Sequence, residues 1–291
     1  MARMGTILER EEYIEQAYFF RVWRERLATN LATQDILTRI GEEILSTTRL
    51  PLAIGFLATE LKHTGLVSSG FARLGHYFTA FQAHVMLQTE REGLRFNVDT
   101  ALLVLEREAQ YRAGPWTAPG LFVYQFETLS RNRLGYDHGL KAMAADPFYD
   151  ADWRAYLEMV RRQTGIVDFA DLVYLRSHLY VAEQRRQDPA YEPPLPPLFG
   201  EKEGKIARAN RGRDPLYLFA ALQRQLGYPE VPRPRPRDDV EAKIEVLQAK
   251  LRELEARLKL VESEVKGQLD LSQFYLKPED LPRRPAGDDE D

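Results

Sequence analysis

Eight apolar residues toward the carboxyl end, Val240, Ile244, Leu247, Leu251, Leu254, Leu258, Val261 and Val265, recur at alternating steps of four and three. This is the a/d spacing of a coiled coil, sustained for more than three heptads, on a seam too narrow for ordinary domain packing. With Ile244 at an a position, the g positions are Lys243, Lys250 and Arg257, and the e positions are Gln248, Glu255 and Glu262. The two flanks therefore differ in sign. Helices running the same way set Lys250 against Glu255 and Arg257 against Glu262 of the neighbour, whereas opposed helices bring like charges together. Exposed pairs contribute only about 0.2–1 kcal/mol each, so these charges select orientation more than they supply affinity.

Residues 238–268 thus read as a parallel coiled coil that pairs the chain with itself, a dimer being favoured. Leucine and β-branched residues are mixed across a and d, which leaves the number of strands open. Val246 and Leu260, at c positions, suit a higher order or a second contact. The plainer alternative is one amphipathic helix laid on its own domain. Against it stands the proline-arginine run Pro232–Arg237, which holds the helix away.

Upstream, apolar positions in residues 1–187 recur at three and four rather than two, which predicts an all-α irregular bundle of about nine helices. The punctuation agrees. Thr6 with Glu9 reads as a capping box opening a helix to about Leu27, and Pro51 and Gly65 bracket another. Asn97 caps a helix ending at Gly114, Pro119 opens one ending at Gly135, and Asp168 with Asp171 opens one reaching about Arg186. Further helices fit 34–45, 79–92, 138–145 and 152–163. No period of 20 to 50 residues appears, which disfavours a solenoid.

Composition shifts at Asp188. Residues 188–200 hold five prolines in thirteen and read as an extended linker or a strap along the domain. The whole stretch 188–237 reads as a proline-rich, basic linker, with "EKEGKIARANRGRD" flexible and one short docking helix over 215–226, opened by Asp214 and Pro215 and closed by Gly227. Residues 269–291 read as a flexible tail with an acidic end, in which Leu271, Phe274, Tyr275 and Leu276 form a short apolar cluster suited to a partner's groove.

Three functional classes follow. The heptads favour a non-enzymatic oligomeric scaffold or adaptor whose partners are further copies of itself and an unidentified protein. A helical-bundle metal protein is the second, because Glu60 and His63 form Glu-x-x-His, the i,i+3 spacing that offers a carboxylate and an imidazole to one metal. Glu15 and Glu106 are the carboxylates available to complete such a site, but a second Glu-x-x-His is missing, and no cofactor is expected. Nucleic-acid or polyanion binding is the third, since residues 201–237 carry nine basic against four acidic side chains. That run lacks interleaved aromatic residues, and the acidic tail would compete for it.

His76, His84 and the pair Asp171 and His178, seven apart, are weaker catalytic candidates. No Gly-rich phosphate loop, Gly-x-Ser-x-Gly or His-Glu-x-x-His is present. The absence of cysteine removes disulfides, thiolate metal sites and a thiol nucleophile, and fits a reducing cytoplasm. A net charge of −4 gives no global field toward nucleic acid or membrane. The most apolar stretch, Leu50–Leu61, is far short of the roughly 20 residues of a membrane span and contains Glu60. A cytoplasmic protein without a membrane partner is expected.

Overall fold

The computed structural model describes residues 7–29, 31–44, 47–91, 96–233 and 240–265. Among them are fourteen helices and no strand. In chain order these are α1 (Arg10–Leu27), α2 (Thr33–Glu43), α3 (Leu50–Thr64), α4 (Val67–Arg73), α5 (Ala80–Glu90), α6 (Val98–Ala113) and α7 (Ala118–Asn132). They continue as α8 (Tyr136–Ala144), α9 (Ala151–Gln163), α10 (Phe169–Leu175), α11 (His178–Gln187), α12 (Glu201–Ala209), α13 (Pro215–Leu226) and α14 (Val240–Val265). The chain divides into two units, Met1–Arg235 and Pro236–Asp291.

The all-α class holds, but the number of helices exceeds the expectation, for local reasons. Helix α4 has only seven residues and no cap of its own. Its first amides are instead satisfied by Glu90 at the end of α5, whose carboxylate accepts from the Val67 N–H at 2.6 Å and the Ser68 N–H at 3.2 Å. Residues 169–187 form two helices, not one. The break falls at Arg176 and Ser177, where the Arg176 carbonyl accepts from the amides of Leu198 and Phe199 at 2.7 and 3.0 Å and the His178 amide donates to the Phe199 carbonyl at 2.9 Å. Those bonds replace the helical ones the break forfeits.

Helix α12 is the third addition, in the segment read as flexible. Its buried face consists of Glu203, Gly204 and Ala207, which carries almost no hydrophobic signal. Gly204 lies so close to α11 that a Cβ there would come within 2.4 Å of Ser177 Oγ and 2.8 Å of Leu179 Cβ.

Several starts and stops fall where the sequence puts them. Asn97 Oδ1 accepts from the Thr100 N–H, Gly65 closes α3 at φ 73°, and Asp214 and Gly227 bracket α13. The first helix begins later than the capping box implies, at Arg10 with Glu9 as N-cap, and Thr6 lies outside the described residues. Helix α7 stops at Asn132, three residues before Gly135, where the sequence reading ends it. There the Leu134 N–H bonds the Leu129 carbonyl and the Arg133 N–H bonds the Ser130 carbonyl, a Schellman closure driven by burial of Leu134. Its cost is Arg133 at φ 54°. Because a side chain in that conformation costs roughly 1–2 kcal/mol and glycine's extra chain entropy returns part of it, Arg133→Gly is expected to stabilise the chain by roughly 0.5–1 kcal/mol in urea unfolding.

Aromatic packing centres the first unit. The Phe122 ring of α7 lies within 5.3–6.0 Å of the rings of Phe126, Trp153, Tyr156, Phe169 and Phe199. Helix α1 buries Phe19, Phe20 and Trp23 and runs along α6. The proline-rich strap 188–200 and helix α13 complete this same core through Phe199, Leu218, Phe219 and Leu222. The strap is held by Arg176, which donates to the Pro196 carbonyl through Nε and Nη2. Beyond α13, Tyr228 donates to Glu127 Oε2 at 2.7 Å and Asn132 to the Pro232 carbonyl at 3.3 Å, so the chain lies against α7 as far as Pro232.

Candidate functional site

Helix α14 carries the seam. At 26 residues it is about 39 Å long. Leu247, Leu251, Leu254, Leu258 and Val261 are each between 54% and 62% exposed, although apolar side chains of that size normally find cover. Lys250, Glu255 and Arg257 are exposed along its flanks. Arg257 Nη2 pairs within the helix to Glu253 at 2.7 Å, at both ends largely in water. The side chains of Val240, Ile244, Glu262 and Val265, and of Val246 and Leu260, lie outside the described residues, as do Leu271, Phe274, Tyr275, Leu276 and the acidic end.

The metal candidates do not converge. Glu60 is buried and turns toward α4, where its carboxylate accepts from Arg73 Nη1 at 2.7 Å and Ser69 Oγ at 3.1 Å. His63 is exposed and lines a different surface, the groove between α2 and α3 that also holds Glu42 and Lys62. Glu106 is paired with Arg24 at 3.3 Å. Among the described residues no three His, Asp or Glu side chains are grouped to hold a metal ion. Asp171 and His178, expected on one helix face, sit on separate helices, and Asp171 pairs with Arg211 at 2.5 Å.

Part of the basic stretch is paired with carboxylates of the same unit. Arg208 pairs with Glu183, Lys205 with Glu201 at 2.7 Å, and Arg211 stacks 4.1 Å over the Tyr174 ring besides bonding Asp171. Acidic side chains from α10 and α11 thus cancel part of the positive excess counted along the sequence. Arg235 and Arg237 lie outside the described residues.

His84 is buried and makes a hydrogen bond of 3.0 Å to the Leu134 carbonyl. Burial first, with repulsion from His138 and Arg91, pushes its pKa below the ordinary 6.5 despite that bond. The unfolded chain therefore takes up a proton here before the folded one does. Stability from this residue is complete above about pH 6.5 and is lost as pH falls through the window below it. The melting temperature should decline on acidification through that window, and His84→Gln should flatten the decline.

A buried polar network escaped the sequence reading. Arg112, fully buried, donates to Glu108 Oε1 at 2.9 Å and forms a close ion pair with Asp146, while its guanidinium covers the Phe148 ring at 4.6 Å. Gln125 donates to Glu108 at 2.7 Å and accepts from Tyr149 at 2.8 Å. The two carboxylates raise the Arg112 pKa well above its usual value against the opposing effect of burial. The signal lies in the spacing: Glu108 and Arg112 continue the stripe of Ala101 and Leu105 at steps of four, three and four, although an acid and a base four apart on a helix are usually solvent-exposed.

No protein-family model, curated protein or solved structure matches this chain. Among the described residues, no helix is long and apolar enough to cross a membrane.

Proposed function

We propose that this chain is a non-enzymatic oligomeric scaffold or adaptor, whose copies pair in parallel through α14 and carry the helical unit as the part that meets other proteins. One observation supports the reading above the rest: five consecutive a/d side chains of α14 stand more than half exposed. Burying such a leucine contributes about 1.5–3 kcal/mol, so a matching seam gains far more from association than the flanking charges supply. The charges set direction. Glu60 with His63 is less favoured because the two side chains turn to different surfaces, and the basic stretch because Lys205, Arg208 and Arg211 already pair with carboxylates.

Sedimentation equilibrium of the whole chain tests this. The account expects a dimer or higher species, converted to monomer by Leu251→Glu with Leu258→Glu, with the helical unit still folded by its near-ultraviolet circular dichroism. A monomer at tens of micromolar for the unaltered chain would remove the reading.

A further inference from the structure

Helices α2 and α3 border an open groove of about 510 Å³, floored by Leu37 and Ile54. Six residues join the two helices, which therefore run antiparallel. Glu42, one residue from the end of α2, thus marks one end of the groove beside Pro51, and Lys62 and His63, in the last turn of α3, mark the other. All three are exposed, and none makes an ion pair among the described residues. An acid therefore stands at one end and a base at the other, about 18 Å apart along α3.

Two glycines keep the walls low. Gly41 and Gly55 line the groove from helix interiors, where glycine is less stable than alanine. Packing within the chain requires neither: a Cβ at Gly55 would meet nothing within 4 Å, and one at Gly41 would make only ordinary contact with Ile54 at 3.5 Å. Glycine on an exposed helix face lets another backbone come close. On the first turn of α3, next to Pro51, Leu52 is 80% exposed and lacks cover.

We propose that this groove is a second contact between copies of the chain, in which α3 of each copy lies in the groove of the other. The proposal rests on the pairing through α14, which in a parallel dimer is two-fold and holds the helical units at an effective concentration near millimolar. A two-fold contact sets one patch against itself, so the patch must be self-complementary. End-for-end reversal achieves this here. Glu42 meets the partner's Lys62 twice over, Gly55 allows the two α3 backbones to approach, and Leu52 gains cover. A ligand of a single sign would satisfy only one end.

Crosslinking of the full-length chain tests the contact, since no native cysteine competes. Thr59 is exposed near the midpoint of the groove, and chains carrying Thr59→Cys should be joined to each other by a short bismaleimide. Adding Glu42→Lys, or adding Lys62→Glu, sets two like-charged pairs together and should cut the yield about fivefold. Producing those two chains together, one of them tagged, should restore the yield in the mixed product, because each reversed charge then meets an opposite one. Equal yields throughout overturn the proposal, as does a mixed product no more abundant than its parents. Sedimentation of the same samples separates the two readings: a dimer that gives no crosslink through Thr59→Cys overturns this contact alone, whereas a monomer overturns the pairing through α14 and this contact with it.

Discussion

Arg112→Met is expected to cost the first unit about 3–5 kcal/mol in chemical unfolding, the usual penalty for removing one member of a buried ion pair. The magnitude follows from what the substitution leaves behind. Glu108 and Asp146 are fully buried, and Arg112 is the cation they share. Without it, two carboxylates face each other through apolar surroundings. Glu108 is still held by Gln125 and Asp146 by the Phe148 N–H at 3.1 Å, so neither can turn to water without breaking a second bond. Adding Glu108→Gln and Asp146→Asn to the Arg112→Met chain should recover most of the loss, because the shapes remain and the charges go. Failure of that recovery, measured as unfolding midpoints in urea, would mean that packing around the guanidinium stem and not charge accounts for the cost.

Phe199→Ala should be almost as damaging, at about 3–5 kcal/mol. The ring is completely buried and meets Trp153 at 5.4 Å and Tyr156 at 5.7 Å. It is also the residue whose backbone bridges the break between α10 and α11. Its loss therefore acts twice, opening a cavity under Phe122 and loosening the strap. Cleavage by a nonspecific protease within 188–197 should accelerate well beyond what an equally destabilising substitution elsewhere produces. Equal cleavage rates at matched stability would show that the strap is held by other contacts.

These two sites also mark where the sequence stops being legible. Local signals placed α3, α6 and α13 well, because Pro51, Gly65, Asn97, Asp214 and Gly227 act within one turn of their own helices. What escaped depends on residues far along the chain. The cap of α4 comes from Glu90, the break before α11 from the strap at Leu198 and Phe199, and the packing of α12 from a glycine against Ser177. Periodicity carries no record of such partners. The same holds for charge: Glu60 and His63 share a helix and a spacing but turn to different neighbours, while Glu108 and Arg112 look like a solvent pair and lie at the centre. Only for α14 does sequence spacing itself furnish the argument for function, since a heptad seam states both the face and the direction of pairing.

Single cysteines test that pairing most directly, because the chain has none of its own. Chains carrying Val261→Cys should crosslink to one another under mild oxidation, as should chains carrying Ile244→Cys, while a mixture of the two variants yields no cross-pair. Crosslinking confined to the mixture would show opposed helices, and no crosslinking in any combination, with helical content unchanged, would contradict association through α14 altogether.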